Sequence, residues 1–256
     1  MFMLLSQCLW SQEASSNSIK VLTFNILHGA TTKGDFDLDA IAKVIKDVDP
    51  DLVALQEVDF RTNRAKKYDL VQEMAVRTKM VPLFGKAMDY DGGEYGEGIL
   101  SKFSFIQTRN VPLPHSPGNE PRAALEVVVQ LPSGDTVALV GTHLDHLRDP
   151  VDRIAQAKEI KKVFSQNSYP TILAGDLNAV PGSEPMNILM DHWTATDQKQ
   201  PPSPTIPSDN PRKKIDYVMV HPADQWEVIE TQVICDAVAS DHCAYLVTLK
   251  LRNKQR

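Results

Sequence analysis

The sequence has no apolar run long enough to cross a bilayer, only three cysteines in 256 residues, and no surplus of positive charge. Each shortage excludes something. A membrane-spanning helix needs about 20 consecutive apolar residues, so stable membrane insertion is not expected. Three cysteines are too few for a disulfide framework. Cys8 falls in the N-terminal segment, which leaves Cys235 and Cys243. They could pair, but we read them as two buried free thiols in adjacent strands. A net charge of −6 gives no global pull toward nucleic acid or anionic lipid, although a local basic patch can sit on an acidic protein. What remains is ordinary for a globular chain, with 42% hydrophobic and 23% charged residues. We expect one large domain and a monomer, with no internal repeat, no interdomain linker and no evident protein partner.

The first residues read differently from the rest. Met1 to Trp10 is apolar, and a small and polar stretch follows from Ser11 to Ser18. This resembles the hydrophobic and cleavage regions of a secretory signal peptide, without a basic n-region. Residues 1–18 are therefore expected to be a signal peptide or a disordered terminus, and residues 19–256 the folded domain. Export to the periplasm or beyond follows from that reading; without a working signal the protein would be cytoplasmic.

Periodicity organises the domain. Residues 19–26 are β-rich, and residues 38, 41, 44, 45 and 48 form an apolar helical stripe that Asp49-Pro50 stops. Residues 51–58 predict a strand and 68–80 a helix. Strand-like runs follow at 81–87, 95–101, 104–110, 121–131 and 136–144. A helix is predicted at about 150–166, with Asp149-Pro150 as its N-cap and first residue. Then come a short buried strand at 171–174, a helix at 183–190, a Pro- and Ser-rich loop at 198–212, and strands at 214–220, 226–235 and 243–251. This order fits two mixed sheets packed face to face with helices outside.

Polar residues recur where the apolar β-runs stop: Asn25, Glu57, His143, Asp176 and Asn178, while Asp216 and Asp241-His242 precede later runs. One such residue is commonplace; the whole set at sheet ends predicts a site. Carboxylates and amides are hard oxygen ligands suited to magnesium or manganese, and no His/Cys spacing suggests zinc. Two histidines can stabilise a phosphorane-like transition state while a carboxylate positions or deprotonates water.

The motifs TFN (23–25), LQEVD (55–59), GTHLDH (141–146), GDLN (175–178), IDYV (215–218) and SDH (240–242), in that order, resemble the endonuclease/exonuclease/phosphatase superfamily. The resemblance implies a deoxyribonuclease-I-like four-layered α/β sandwich, two mixed and mainly antiparallel sheets flanked by helices. It implies a hydrolase acting on phosphodiesters. Glu57 would be the principal metal ligand, helped by Asn25 and Asp241. Asp176 would orient or deprotonate the attacking water, and Asn178 would hold water or a phosphate oxygen. His143, and His242 oriented by Asp216, would stabilise the transition state. The counterpart of His143 has a carboxylate partner in such proteins, and Glu94 is the candidate here. Arg64 and Arg122 are candidate phosphate contacts, with Arg61 a third. Arg153 and Gln156 are read as helix anchors, His146 as lying behind the site and His28 at its rim. The expected substrate is a small or lipid-derived phosphodiester, with DNA or RNA as the alternative. A domain without catalysis would show a substitution in the core set, and there is none.

Overall fold

Residues 18–252, except 198 and 200, are described by the structure, a computed structural model. Residues 1–17 of the expected signal segment, Cys8 among them, and the last four residues lie outside them, whereas Ser18, placed with that segment, begins the first strand. Among the described residues the strands are β1 (Ser18–Asn25), β2 (Leu52–Phe60), β3 (Val81–Tyr90), β4 (Gly93–Ser101), β5 (Phe105–Leu113), β6 (Arg122–Gln130), β7 (Thr136–His143), β8 (Thr171–Asp176), β9 (Thr194–Ala195), β10 (Asp216–His221), β11 (Trp226–Ile234) and β12 (Ala244–Leu251). The α-helices are α1 (Leu38–Val48), α2 (Leu70–Thr78), α3 (Val151–Phe164) and α4 (Glu184–Met190).

Two mixed sheets result, ordered β11-β12-β1-β2-β4-β3 and β5-β6-β7-β8-β10-β9. Each contains one parallel pair: β1 beside β2, joined through α1, and β7 beside β8, joined through α3. The rest of each ladder is antiparallel. The sheets face each other through Val21, Leu52, Ile99, Leu125, Leu139 and Val218. Helices α1 and α2 cover the outer face of the first sheet, and α3 and α4 that of the second. These are the four layers that the resemblance implied.

Local chemistry explains the elements. Asp37 caps α1 by accepting from the backbone N–H groups of Asp39 and Ala40, and Asp49 ends it in the left-handed region just before Pro50. The stripe of Leu38, Ile41, Val44 and Ile45 is buried on the sheet, each such side chain contributing about 1.5–3 kcal/mol relative to exposure. Helix α3 starts one residue later than expected, with Pro150 at the cap position and Asp149 accepting from Val151 N–H. Arg153 and Gln156 anchor it as read: Arg153 donates to Asp145 O at 2.6 Å, and Gln156 accepts from Asp145 N at 2.8 Å.

The cysteine reading is corrected. Cys235 and Cys243 form a disulfide, with Cα atoms 4.3 Å apart. They lie just beyond the facing ends of the adjacent strands β11 and β12, not within them. The β11–β12 register runs to Ile234 opposite Ala244, which brings the next two residues, Cys235 and Cys243, face to face within bridging distance. The bridge closes the loop that carries Asp241 and His242.

Candidate active site

Parallel pairs in both sheets point the same way, so β1, β2, β7 and β8 all end at one edge of the sandwich. Asn25, Glu57, His143 and Asp176 sit at or near those ends. The antiparallel neighbour β10 begins there, with Asp216 opposite Asp176 in register. His242 leads into β12, beside β1. Gly175 makes the β7–β8 approach possible, since a Cβ there would lie 1.9 Å from Thr142 O.

Glu57 reaches the pocket through a break in its strand. Pairing of β2 with β4 jumps between Leu55 and Val58, and Glu57 takes φ +56°. An irregularity of this kind re-aims a side chain that strict alternation would direct elsewhere. A left-handed non-glycine residue costs on the order of 1–3 kcal/mol and is kept where the surroundings enforce it. Here they do: Glu57 accepts from Asn25 Nδ2 at 3.1 Å, and its other oxygen is 3.2 Å from His28 Nδ1. Burial alone would raise its pKa. The His28 contact and the Asn25 hydrogen bond act against that, and Glu57 is held below the ordinary glutamate range. Glu57 is therefore a fixed anion. Asn25 tethers rather than faces the pocket with its oxygen: Nδ2 also reaches Asp176 Oδ2 at 3.3 Å, and Oδ1 accepts from Leu27 N at 3.1 Å.

Asp176 is the centre of the arrangement. Its Oδ2 lies 3.3 Å from His143 Nε2 and 3.6 Å from His242 Nε2, and its Oδ1 accepts from Asn178 N at 2.9 Å. Burial, followed by repulsion from Asp216, raises its pKa. Both oxygens of Asp216 lie 3.1 Å from His242 Nδ1. Burial opposes the charge on His242, but Asp216, then Asp176 and Asp241, push its pKa up to about 10. His143 goes the other way: burial and then Arg122 hold it well below the ordinary histidine range.

Asp176, Asp216 and His242 offer atoms within 4.8 Å of one another, a spacing that could take a cation. The hydrogen bond from His242 Nδ1 to Asp216 already occupies that grouping. The better open donors are Glu57, permanently charged, and Asp241, whose Oδ1 is buried with no hydrogen-bond partner among the described residues. An orphaned buried carboxylate oxygen is what an absent hard cation leaves behind, so an oxygen-bound divalent metal fits this chain.

The cavity at this edge encloses about 300 Å³. Besides His28, Glu57, His143, Asp176, Asn178 and His242 it is lined by Arg64, Met88, Tyr90, Tyr95, Glu120, Arg122 and His146; Asn25, Asp216 and Asp241 stand behind its wall. Arg64 is held in a bidentate pair with buried Asp59 and lies over the Tyr90 ring, 4.5 Å from its centroid. Arg122 is 2% exposed; its NH1 and NH2 donate to Glu120, Tyr95 and two histidines, while its buried Nε has no partner among the described residues. Glu94 does not reach the site. It lies on β4 beside the β3–β4 turn, 3.1 Å from Lys86 Nζ, and is corrected as partner of His143. The group against His143 Nδ1 is Arg122, at 3.1 Å. Arg61 lines a separate surface hollow beside Phe60.

Sequence reasoning missed Met88, Tyr90, Tyr95, Glu97 and Glu120, and undervalued His28, which touches Glu57. Glu97 lies fully buried with both carboxylate oxygens unpartnered, and burial drives its pKa well up. Its signal was available: a carboxylate two residues from each of Tyr95 and Ile99, on the inward face of an apolar strand.

Comparison with known proteins gives a consistent picture. The family model described as "Endonuclease/Exonuclease/phosphatase family" matches residues 22–242. Protein cwh43 of Schizosaccharomyces pombe is 26% identical over 149 residues, 58% of this chain, which spans 15% of that protein's length. A structure of an endonuclease/exonuclease/phosphatase from Beutenbergia cavernae aligns with TM-score 0.77 and 25% identity, over 91% of this chain and 72% of the other. The mannosyl-6-phosphatase of Bacteroides thetaiotaomicron aligns with TM-score 0.72 at 17% identity, over 90% and 99% of the two chains. The human nocturnin catalytic domain with bound sulfate gives 0.70 at 17% identity, over 93% and 96%.

Proposed function

The chain belongs to the endonuclease/exonuclease/phosphatase family, hydrolases acting on phosphoester bonds, and on that premise we propose that it is a divalent-metal-dependent phosphodiesterase for a small or lipid-derived phosphodiester. The observation that carries the hydrolytic reading is the convergence of two imidazoles and one amide on Asp176 Oδ2. That oxygen is placed to orient or deprotonate a water for in-line attack on phosphorus. His242, backed by Asp216, supplies positive charge and a proton for the developing oxyanion and leaving group. Asn178 and His143 hold phosphate oxygens in place. Glu57 and Asp241, with Asn25 fixing Glu57, would hold magnesium or manganese, which when bound neutralises phosphate charge and polarises the scissile bond.

The substrate class rests on shape and charge. A cavity of about 300 Å³ suits one phosphoryl group with a compact substituent. A duplex-binding surface would instead display clustered free cations. The one basic cluster beside a catalytic residue, Arg212 to Lys214, presents only two exposed cations, Arg212 and Lys213, since Lys214 is 4% exposed, with Nζ over the Tyr245 ring. Arg64 and Arg122 are already paired with Asp59 and Glu120. The disulfide supports a further part of the proposal, an oxidising, exported setting.

The test is a panel with magnesium: supercoiled plasmid, abasic DNA, sphingomyelin, phosphatidylinositol derivatives and a chromogenic phosphodiester. Turnover of the lipid or small diesters above the nucleic acids is expected. Efficient plasmid nicking with no activity on the rest would overturn the substrate class and leave the family standing.

A further inference from the structure

The two imidazoles approach Asp176 from different sides, and what stands behind each ring differs in sign. Behind His242 is a carboxylate, with both Asp216 oxygens 3.1 Å from Nδ1. An ionised carboxylate only accepts, so Nδ1 of His242 bears a proton. Behind His143 is a guanidinium, with Arg122 NH1 at 3.1 Å from Nδ1. A guanidinium only donates and keeps its charge in proteins, so this Nδ1 offers a lone pair. The ring is then neutral and its one proton lies on Nε2, 3.3 Å from Asp176 Oδ2.

We propose that Arg122 is a positioning residue that makes the histidine pair unequal: it holds His143 as the neutral Nε2–H tautomer, a hydrogen-bond donor only. The inference rests on the active-site reading above and assigns the two histidines different roles within it.

One contact argues for the opposite tautomer. Asn178 Nδ2 lies 2.9 Å from His143 Nε2, and donation there would move the ring proton to Nδ1. That would aim an N–H at a cation. The amide is neutral and already donates to Leu144 O at 3.0 Å, whereas a charged donor makes roughly twice as strong a bond. Nor can Arg122 turn aside. NH2 is fixed by Glu120 at 2.8 Å and by His146 at 3.2 Å, and NH1 also touches Tyr95 Oη at 3.3 Å. Of the other charged groups facing His143, Glu57 and Asp176 favour a cationic ring; His242 and His146 join burial and Arg122 in opposing it.

Side-chain nitrogen NMR of the histidine-labelled, metal-free protein tests this without a substrate. The wild type should show His143 neutral at neutral pH, with a proton on Nε2 and a bare Nδ1. In Arg122→Met, where burial still opposes the charge but the guanidinium no longer does, His143 should take up a proton at higher pH than in the wild type, and kcat should gain an acid limb. Arg122→Lys should restore the neutral ring. A wild-type His143 that carries Nδ1–H or is cationic at neutral pH overturns the proposal, as does an unchanged spectrum in Arg122→Met. If that variant fails to fold, the wild-type spectrum decides alone. The expected tautomer in a protein with no hydrolytic activity would sink the phosphodiesterase reading instead.

Discussion

Replacing Asp216 by Asn removes the charge behind His242 but keeps an oxygen that can accept from Nδ1. His242 is raised from 6.5 to about 10 against the effect of burial, with Asp216 the largest favourable cause. That gap corresponds to about 5 kcal/mol at ~1.36 kcal/mol per pH unit. Asp176 and Asp241 supply part of it, and losing Asp216 relieves its repulsion of Asp176, so the variant should lose about 2–4 kcal/mol. The sign of the pH dependence follows from the raised value. A histidine that binds its proton more tightly when folded stabilises fully below its ordinary pKa and loses that contribution as pH rises through the folded one. The deficit of Asp216→Asn should therefore be complete below about pH 6 and fade toward pH 10. Turnover should fall by about 10²–10⁴ near neutrality, with the alkaline limb moved to lower pH. Urea unfolding at the two pH extremes and kcat against pH on a chromogenic phosphodiester measure both effects. An equal stability loss at both extremes, or an unmoved alkaline limb, would refute the assignment of His242 as the cationic partner of Asp216.

Glu57→Gln should abolish the rise in melting temperature that magnesium gives the wild type, and chelator should stop wild-type hydrolysis; activity in excess chelator would contradict the metal reading. Cys235→Ser should cost about 2–3 kcal/mol for so short a loop and lower kcat further by loosening Asp241 and His242, as read by denaturation and initial rates. Glu97 binds its proton more tightly when folded, so it costs stability once pH rises above the ordinary glutamate range. Glu97→Gln should match the wild type near pH 4 and be more stable near pH 8 by about 1–3 kcal/mol, with lower stability at pH 8 counting against the buried neutral acid. Glu94→Ala should leave the pH profile of kcat unchanged, since its partner is Lys86; a new limb would restore it to the site.

Much of the fold was legible because its signals are local. The stripe from Leu38 to Ile45 and the stop at Asp49-Pro50 define α1 within one turn. Apolar runs ending in Asn25, Glu57, His143 and Asp176 disclosed both the strands and the edge where they finish. Asp216 with His242 met the expected hydrogen-bond distance. Glu94 failed because β4 alternates: Tyr95 and Glu97 point inward, so Glu94 points away, and the register with β3 sets it near Lys86.

The sequence by itself determined the element order and the polar residues that meet at one edge, because hydrophobic period and strand ends are properties of neighbouring residues. Tertiary structure decided what depends on distant segments meeting. The β11–β12 register turned two cysteines into a bridge. A break in the β2 ladder turned Glu57 into the pocket. Charge of opposite sign behind the two histidines, Asp216 for one and Arg122 for the other, gave chemically identical side chains different protonation states. No spacing along the chain encodes that difference, because a pKa is set by burial and by the charges a few ångströms away in space.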